Sequence, residues 1–506
     1  MRCLLAVLAL SLVLGCSRRQ QAKSPLVEAP SLRLALVTDL KGYLEPCGCT
    51  SDPLGGIDRL AAQIRALREG TSPVLVLIAG DLLFDTAQLE PSRVDQATRN
   101  AKTLVQILNR LKVAAVLPGA SDRAQSAETL TALRELSDFP WLAMDKAVDV
   151  LQTDAGALRV AVVGARPGSE RAAVADAVTA LRPETDLSIV LVDGSRREAN
   201  RTGAIDGVDF VIQGGLDEDE PMPPRRAGKA WVLHASRQGQ GLTVVDITIK
   251  TPDAGFADRS EWSRSVQAKQ LDQQIEDLAT KITNWEKSGE VQAADLTSQR
   301  ARLDALREAR ASIDVPELGA GENTLSATWI PLSKSAPKDP QVEKLMREHD
   351  KVVNEANRLA FADLQPPPLG PDDIAYVGSP ACSACHQEAY AWWRGHGHGN
   401  AYLTLQEGNK EFNLDCVGCH VTGYQEPGGS TVTHNMNGAL VNVGCESCHG
   451  PGAAHSKDPE KFSILRDTPE STCVRCHNSQ HSDLFDYEGY KRTLVVPGHG
   501  LPTAVR

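Results

Sequence analysis

Cys382-Ser-Ala-Cys385-His386 is the first of four copies of one five-residue pattern near the end of the chain. The others are Cys416-Val-Gly-Cys419-His420, Cys445-Glu-Ser-Cys448-His449 and Cys473-Val-Arg-Cys476-His477. C-x-x-C-H is the attachment signature of c-type haem. Two thiols add to the two vinyl groups of the macrocycle, and the next residue brings an imidazole to the iron. With 12 Cys and 12 His in 506 residues, chance supplies about 0.007 matches per chain. Cys-only zinc sites or four disulfides are the competing uses of eight cysteines. Neither explains a histidine after every second cysteine. The pattern predicts four covalently attached haem c groups, with His386, His420, His449 and His477 as proximal iron ligands.

Working outward, successive motifs are only 34, 29 and 28 residues apart. That leaves little protein per haem and predicts a mainly α, haem-packed domain over residues 371–506, with the macrocycles close together. Six further histidines lie in it: His396, His398, His434, His455, His481 and His499. They are the candidate distal ligands. Two axial imidazoles saturate an iron and favour electron transfer, whereas an open position permits chemistry on a ligand.

Tyr390-Ala-Trp392-Trp393, Gly395-His396-Gly397-His398, the second motif with its Val-Thr-Gly-Tyr424 continuation, and Cys448-His449-Gly-Pro-Gly-Ala-Ala-His455 resemble the tetrahaem cytochrome c family. Within it, the likeness is to the type that accepts electrons from hydroxylamine oxidoreductase. The resemblance covers about 130 residues. It implies His455 as the foremost distal ligand, on a haem other than its chain neighbour. One of His396 and His398 and then His434 follow, with His481 and His499 last.

The rest of the chain is organised differently. Residues 4–14 form an apolar run too short to cross a bilayer as a finished helix, and Val13-Leu14-Gly15-Cys16 closes it. This matches a lipoprotein-type signal over residues 1–16 with Cys16 lipidated, followed by a polar tether over 17–30. Simple cleavage nearby is the alternative. The expectation is an exported protein of the periplasm or cell surface, held at a membrane by lipid. A formal net charge of −12 argues against nucleic acid, which requires a basic face. Residues 371–506 carry 9 Lys/Arg against 15 Asp/Glu, a surface that would steer a basic redox partner.

Over residues 31–250, short apolar runs at 32–38, 74–79, 113–117, 159–164, 187–192 and 208–212 predict buried strands. Helical patterns lie between them, at 56–69 and 96–111 for example. Such alternation predicts a layered α/β domain. Thr38-Asp39-Leu40-Lys41-Gly42, Gly55-Gly56-Ile57-Asp58-Arg59, Leu77-Ile78-Ala79-Gly80-Asp81 and Leu117-Pro118-Gly119-Ala120-Ser121-Asp122 resemble the periplasmic 5′-nucleotidase branch of the metallophosphoesterases. The resemblance implies a layered sandwich built for two metal ions. The chain departs from it at the ligands. Lys41 stands for the first histidine and Ala120-Ser121 for Asn-His. Val192-Asp193-Gly194 and Gln213-Gly214-Gly215-Leu216-Asp217 take the places of the later histidine motifs. Only Asp39 and Asp81 match, and His234 is the single histidine between Ser31 and Lys250. A phosphohydrolase centre requires imidazole and carboxylate ligands, so the domain reads as a scaffold that has lost this chemistry.

The same domain carries Cys47-Gly-Cys49 after its first strand. The pair could be a redox dithiol, a soft-metal ligand pair or a local disulfide. Ile275, Leu278, Ile282 and Trp285, then Leu296, Leu303 and Leu306, predict a helical hairpin with coiled-coil-like spacing over 258–314. Another helix and a Pro-rich linker fill 315–370. Two functions emerge. One is an electron carrier between exported redox proteins. The other is an enzyme: a reductase using a five-coordinate haem or Cys47/Cys49, or a residual phosphoesterase.

Overall fold

The computed structural model describes residues 31–46, 53–216, 221–288, 291–313, 321–478, 481–482 and 484–501. Cys16, the apolar run, the tether, Cys47, Cys49 and Asp217 lie outside the described residues.

The N-terminal two thirds builds two six-stranded mixed sheets. The strands are β1 Leu32–Thr38, β2 Val74–Gly80, β3 Ala115–Pro118, β4 Val148–Ala155, β5 Leu158–Ala165, β6 Leu187–Asp193, β7 Phe210–Gly214, β8 Arg225–Ala227, β9 Ala230–Leu233, β10 Gly241–Thr248, β11 Phe256–Asp258 and β12 Asn323–Pro331. One sheet has the order β11-β12-β10-β1-β2-β3 and the other β4-β5-β6-β7-β9-β8. Successive side chains along a strand point to opposite faces, and both faces are apolar here. Leu32, Leu34, Leu36, Leu75 and Leu77 meet Val160, Val162, Ile189 and Ile212 between the sheets. Ala35, Val37, Val76 and Ile78 face the helices Ile57–Arg68 and Val94–Arg110. Val163, Val190 and Val211 face the helices Arg171–Leu181 and Arg196–Gly203. The result is a four-layer α/β/β/α sandwich.

The first sheet draws on residues beyond 250. β12 pairs antiparallel with β10, and β11 lies parallel to β12. The helix Pro340–Ala360 buries Val342 and Met346 in the same core as the helices Ile57–Arg68 and Val94–Arg110. The stretch 315–370, read from the sequence as helix and linker, therefore contributes a strand to the sheet. Its alternation, Leu325 and Ala327 inward, was diluted by the threonines and serine between. The helices Glu261–Ser288 and Ala293–Ala311 form a hairpin sealed by Leu278, Ile282 and Leu303, an excursion between β11 and β12.

The C-terminal part is built of short helices and turns. Its fully buried apolar side chains, among the described residues, are Tyr376, Tyr402, Leu405, Val417, Val421, Val432 and Leu440. This is a sparse core for a domain of this length, even with Phe412, Leu414, Tyr424 and Val441 packed against it. Bound apolar groups would supply what the side chains lack.

The two parts meet at residues 410–415. Gln96, 3% exposed, donates to Asn413 Oδ1 (3.0 Å) and Asp415 Oδ2 (2.8 Å). Its oxygen accepts from Leu414 N and Asn357 Nδ2. Asn357 also donates to the Phe412 carbonyl, and Phe412 N donates to Asn354 Oδ1. Arg93 pairs with Asp415. Every polar atom of the Gln96 amide is satisfied, so the interface specifies one docked geometry.

Candidate haem centres and a carboxylate cluster

Each C-x-x-C-H motif lies on a short helix: Ser379–Cys382, Val417–His420, Cys445–His449 and Glu470–Cys473 reach or enter them. His386 N donates to Cys382 O and His477 N to Cys473 O, both at 2.9 Å. One helical turn therefore brings the first cysteine and the histidine to the same side. The motifs also approach one another. The thiols of Cys382 and Cys445 share a hydrogen bond, as do those of Cys419 and Cys476. Cys448 lies within electrostatic reach of Cys473. The attachment points thus run first, third, fourth, second.

The histidines form three pairs. His386 faces His455 at a ring-centroid separation of 6.3 Å, His398 faces His477 at 6.2 Å, and His449 faces His499 at 6.3 Å. Two metal–imidazole bonds of about 2.0–2.1 Å, with each centroid about 1.1 Å behind its nitrogen, span about 6.3 Å. The spacing fits one iron between each pair. The hydrogen bonding agrees. Nδ1 of His449 lies 2.6 Å from Leu465 O, that of His455 2.7 Å from Phe462 O, and that of His499 2.7 Å from Leu494 O. A backbone carbonyl accepts only from a protonated Nδ1, which leaves Nε2 as the free lone pair. Burial, with His396 and His477 nearby, pushes the His398 imidazole down to about 4. It stands neutral, as a ligand must.

His420 fits a proximal role, with Nδ1 2.5 Å from Ala401 O. Among the described residues, which include all 12 histidines, no imidazole faces it at the spacing of the other three. Of the sequence candidates for distal ligands, the structure brings His455, His398 and His499 against His386, His477 and His449. His396 instead accepts a hydrogen bond from His398 N and stacks on Trp392. His434 is held by its backbone to Thr431, and His481 sits in the turn after Asn478. His499 ranked last in the sequence because its partner is 50 residues away. No local spacing could reveal it.

At the carboxyl ends of β1, β2, β3, β6 and β7 the α/β part gathers Asp39, Asp81, Asp122, Asp193 and Arg123. The sheets nearly touch there: a Cβ on Gly214 would lie 2.5 Å from the Ala79 backbone. Asp39 accepts from Asp81 N (3.1 Å) and Gly215 N (2.9 Å). Burial pushes its carboxyl up to about 7, with Asp193 and Asp81 adding to the effect. Asp81 accepts from Ser121 N and Oγ, both at 2.8 Å. Asp122 accepts from the amides of Leu82, Leu83, Phe84 and Gly119. Arg123 Nη2 meets Asp193 Oδ2 at 3.0 Å. Backbone amides, a serine and a guanidinium thus occupy the oxygens that cations would need. No three His, Cys, Asp or Glu side chains among the described residues are arranged to hold a metal ion. The residues do not fit a dinuclear centre. The structure puts Arg123 against Asp193, a contact 70 residues apart in the chain, and Lys41 contributes its backbone amide to Asp81 O. His234 lies buried beyond β9 with Nδ1 2.9 Å from Gln213 O.

Motifs, paired imidazoles and a sparse apolar core give the C-terminal part the features expected of a c-type cytochrome domain, joined here to a two-sheet α/β domain. Residues 381–450 match the family described as Cytochrome c554 and c-prime. The chain is similar to cytochrome c-554 of Nitrosomonas europaea, 35% identical over 150 residues, covering 23% of this chain and 60% of that protein. It spans about 60% of the length of that curated relative. Among solved structures, a 5′-nucleotidase precursor from Thermus thermophilus aligns at 14% identity and TM-score 0.43, over 78% of this chain and 69% of that one. The sulfate thiohydrolase SoxB of Thermus thermophilus aligns at 15% identity and TM-score 0.41, over 64% of this chain and 61% of that one. No described helix is long and apolar enough to cross a membrane.

Proposed function

We propose that the protein is an exported tetrahaem c-type cytochrome, held at a membrane through lipidated Cys16, that passes electrons between redox proteins outside the cytoplasm. The observation carrying this is the set of three imidazole pairs at 6.2–6.3 Å. Haem c, when bound, supplies one-electron chemistry. The chain's residues attach it through Cys382/Cys385, Cys416/Cys419, Cys445/Cys448 and Cys473/Cys476. His386 with His455, His477 with His398 and His449 with His499 saturate three irons, and saturated irons favour electron transfer over ligand chemistry. The adjacency of the thiols supports a continuous conduit in the order first, third, fourth, second motif. The acidic surface of this part would steer a basic partner.

In this reading the α/β domain is a scaffold that holds residues 410–415 and has no hydrolase centre. Arg123 and the amide-bound carboxylates oppose a residual phosphoesterase. One observation favours a second reading. Among the described residues His420 has no opposing imidazole, so the second motif would carry an iron with an open position, suited to a small ligand. Electron paramagnetic resonance of the oxidised holoprotein separates the readings. A high-spin signal unmoved by nitrite, hydroxylamine or sulfite supports the carrier. A signal that shifts on adding one of them supports a reductase.

A further inference from the structure

The interface between the two domains holds an ion triad whose purpose the docking contacts do not explain. Lys410, six residues before Cys416, pairs with Glu45 of the loop after β1 and lies 3.6 Å from Asp350 of the helix Pro340–Ala360. The side chains of Lys410 and Asp350 are 19% and 13% exposed, that of Glu45 40%. The Lys410 ammonium is near enough to feel the Cys416 sulfur electrostatically. A partly buried charge triad seldom adds stability over apolar packing. Its field acts on a neighbouring redox centre through a partly buried medium that screens it less than water does.

We propose that Glu45 and Asp350, acting through Lys410, are the residues by which the α/β domain sets the reduction potential of the haem at Cys416/Cys419, making that potential follow pH. This rests on the reading that the second motif carries a haem whose iron has His420 alone. Reduction adds one negative charge, so neighbouring carboxylates oppose it and their protonation favours it. When one electron arrives from a donor protein, the Asp350 carboxylate takes one proton from solvent and the local charge is unchanged.

Asp350 is the group of the triad that burial moves toward neutrality. Burial pushes it up to about 6, against the pull of Lys410. Burial, with Lys410 and Arg99, pushes His349 down to about 4, and Thr103 and Asn100 hold both its ring nitrogens. Lys410 is raised and stays charged. Glu411, next in the chain to Lys410, keeps one carboxylate oxygen out of water.

The test is spectroelectrochemical titration of the full-length holoprotein from pH 5 to 8, following the high-spin and low-spin haems separately. In wild type the high-spin potential falls as pH rises through about 6. In D350N it stays at its acid value, so that at pH 8 the reduction equilibrium favours the ferrous form about tenfold more than in wild type (about 59 mV for one electron). The surface variant E45Q, which removes a neighbour that holds Asp350 up, moves the window to lower pH. The three low-spin potentials keep their wild-type values. Identical high-spin profiles in all three proteins would overturn the proposal, as would a parallel shift of all four haems. Absence of a high-spin haem from wild type would instead overturn the reading beneath it.

Discussion

Replacing His499 by alanine removes one imidazole from a pair whose geometry leaves little freedom. The His499 ring lies 6.3 Å from that of His449, stacks on Trp392 at 4.5 Å and 1°, and is oriented by Nδ1–H to Leu494 O. Among the described residues no other histidine ring lies against His449, so no substitute ligand stands ready. Among the described residues three motifs have paired imidazoles and one does not, so under the proposed function the high-spin share of haem should be about one quarter in wild type. It rises to about one half in H499A, with the haem count unchanged because the thioether bonds are untouched. Electron paramagnetic resonance, normalised to haem by pyridine haemochrome, reads the share directly. Free imidazole, filling the space left by the ring, restores the low-spin signal. H434A and H481A serve as controls and leave the share at one quarter. An unchanged share in H499A, or the same rise in H434A, would refute the ligand assignment and the inference from centroid spacing.

Q96L deprives Asn413, Asp415, Leu414 N and Asn357 of buried partners. It should weaken domain docking by about 2–4 kcal/mol, seen as separation of the tryptophan and haem-band transitions in urea. R123M leaves Asp193 buried without its cation and should destabilise the α/β domain by about 3 kcal/mol, with no phosphatase activity gained on adding manganese. A gain of hydrolysis would contradict the scaffold reading. Asp39 is raised by burial to about 7, so between about pH 4 and 7 the native state holds a proton that the unfolded chain has released. Stability from this group is therefore full below about pH 4 and declines as pH rises through 7. Wild type should lose stability relative to D39N between pH 5 and pH 8, and parallel unfolding curves would exclude the effect.

The four C-x-x-C-H motifs stand out in the sequence because haem attachment chemistry constrains five consecutive residues. The sandwich was legible because its strands are buried on both faces and read as unbroken apolar runs, as in Leu32–Thr38 and Leu187–Asp193. β12 was not, since serine and threonine on its half-exposed face blurred the period. The sequence put His455 first among the distal candidates because a family-like stretch carries it, and left His396 and His398 undivided. The partnerships of His398 with His477 and His449 with His499 depend on how short helices stack around groups the sequence does not encode. The same holds for Arg123 against Asp193 and Lys410 against Glu45, whose partners are 70 and 365 residues away. Salt bridges at such separations leave no pattern along the chain.

The central claim is tested most directly by the haem stoichiometry and spin states of the purified, oxidised full-length protein. Four haem c per chain, three low-spin and one high-spin, is the predicted result. Fewer than four, or cysteines found in zinc sites or disulfides instead, would contradict the account at its foundation.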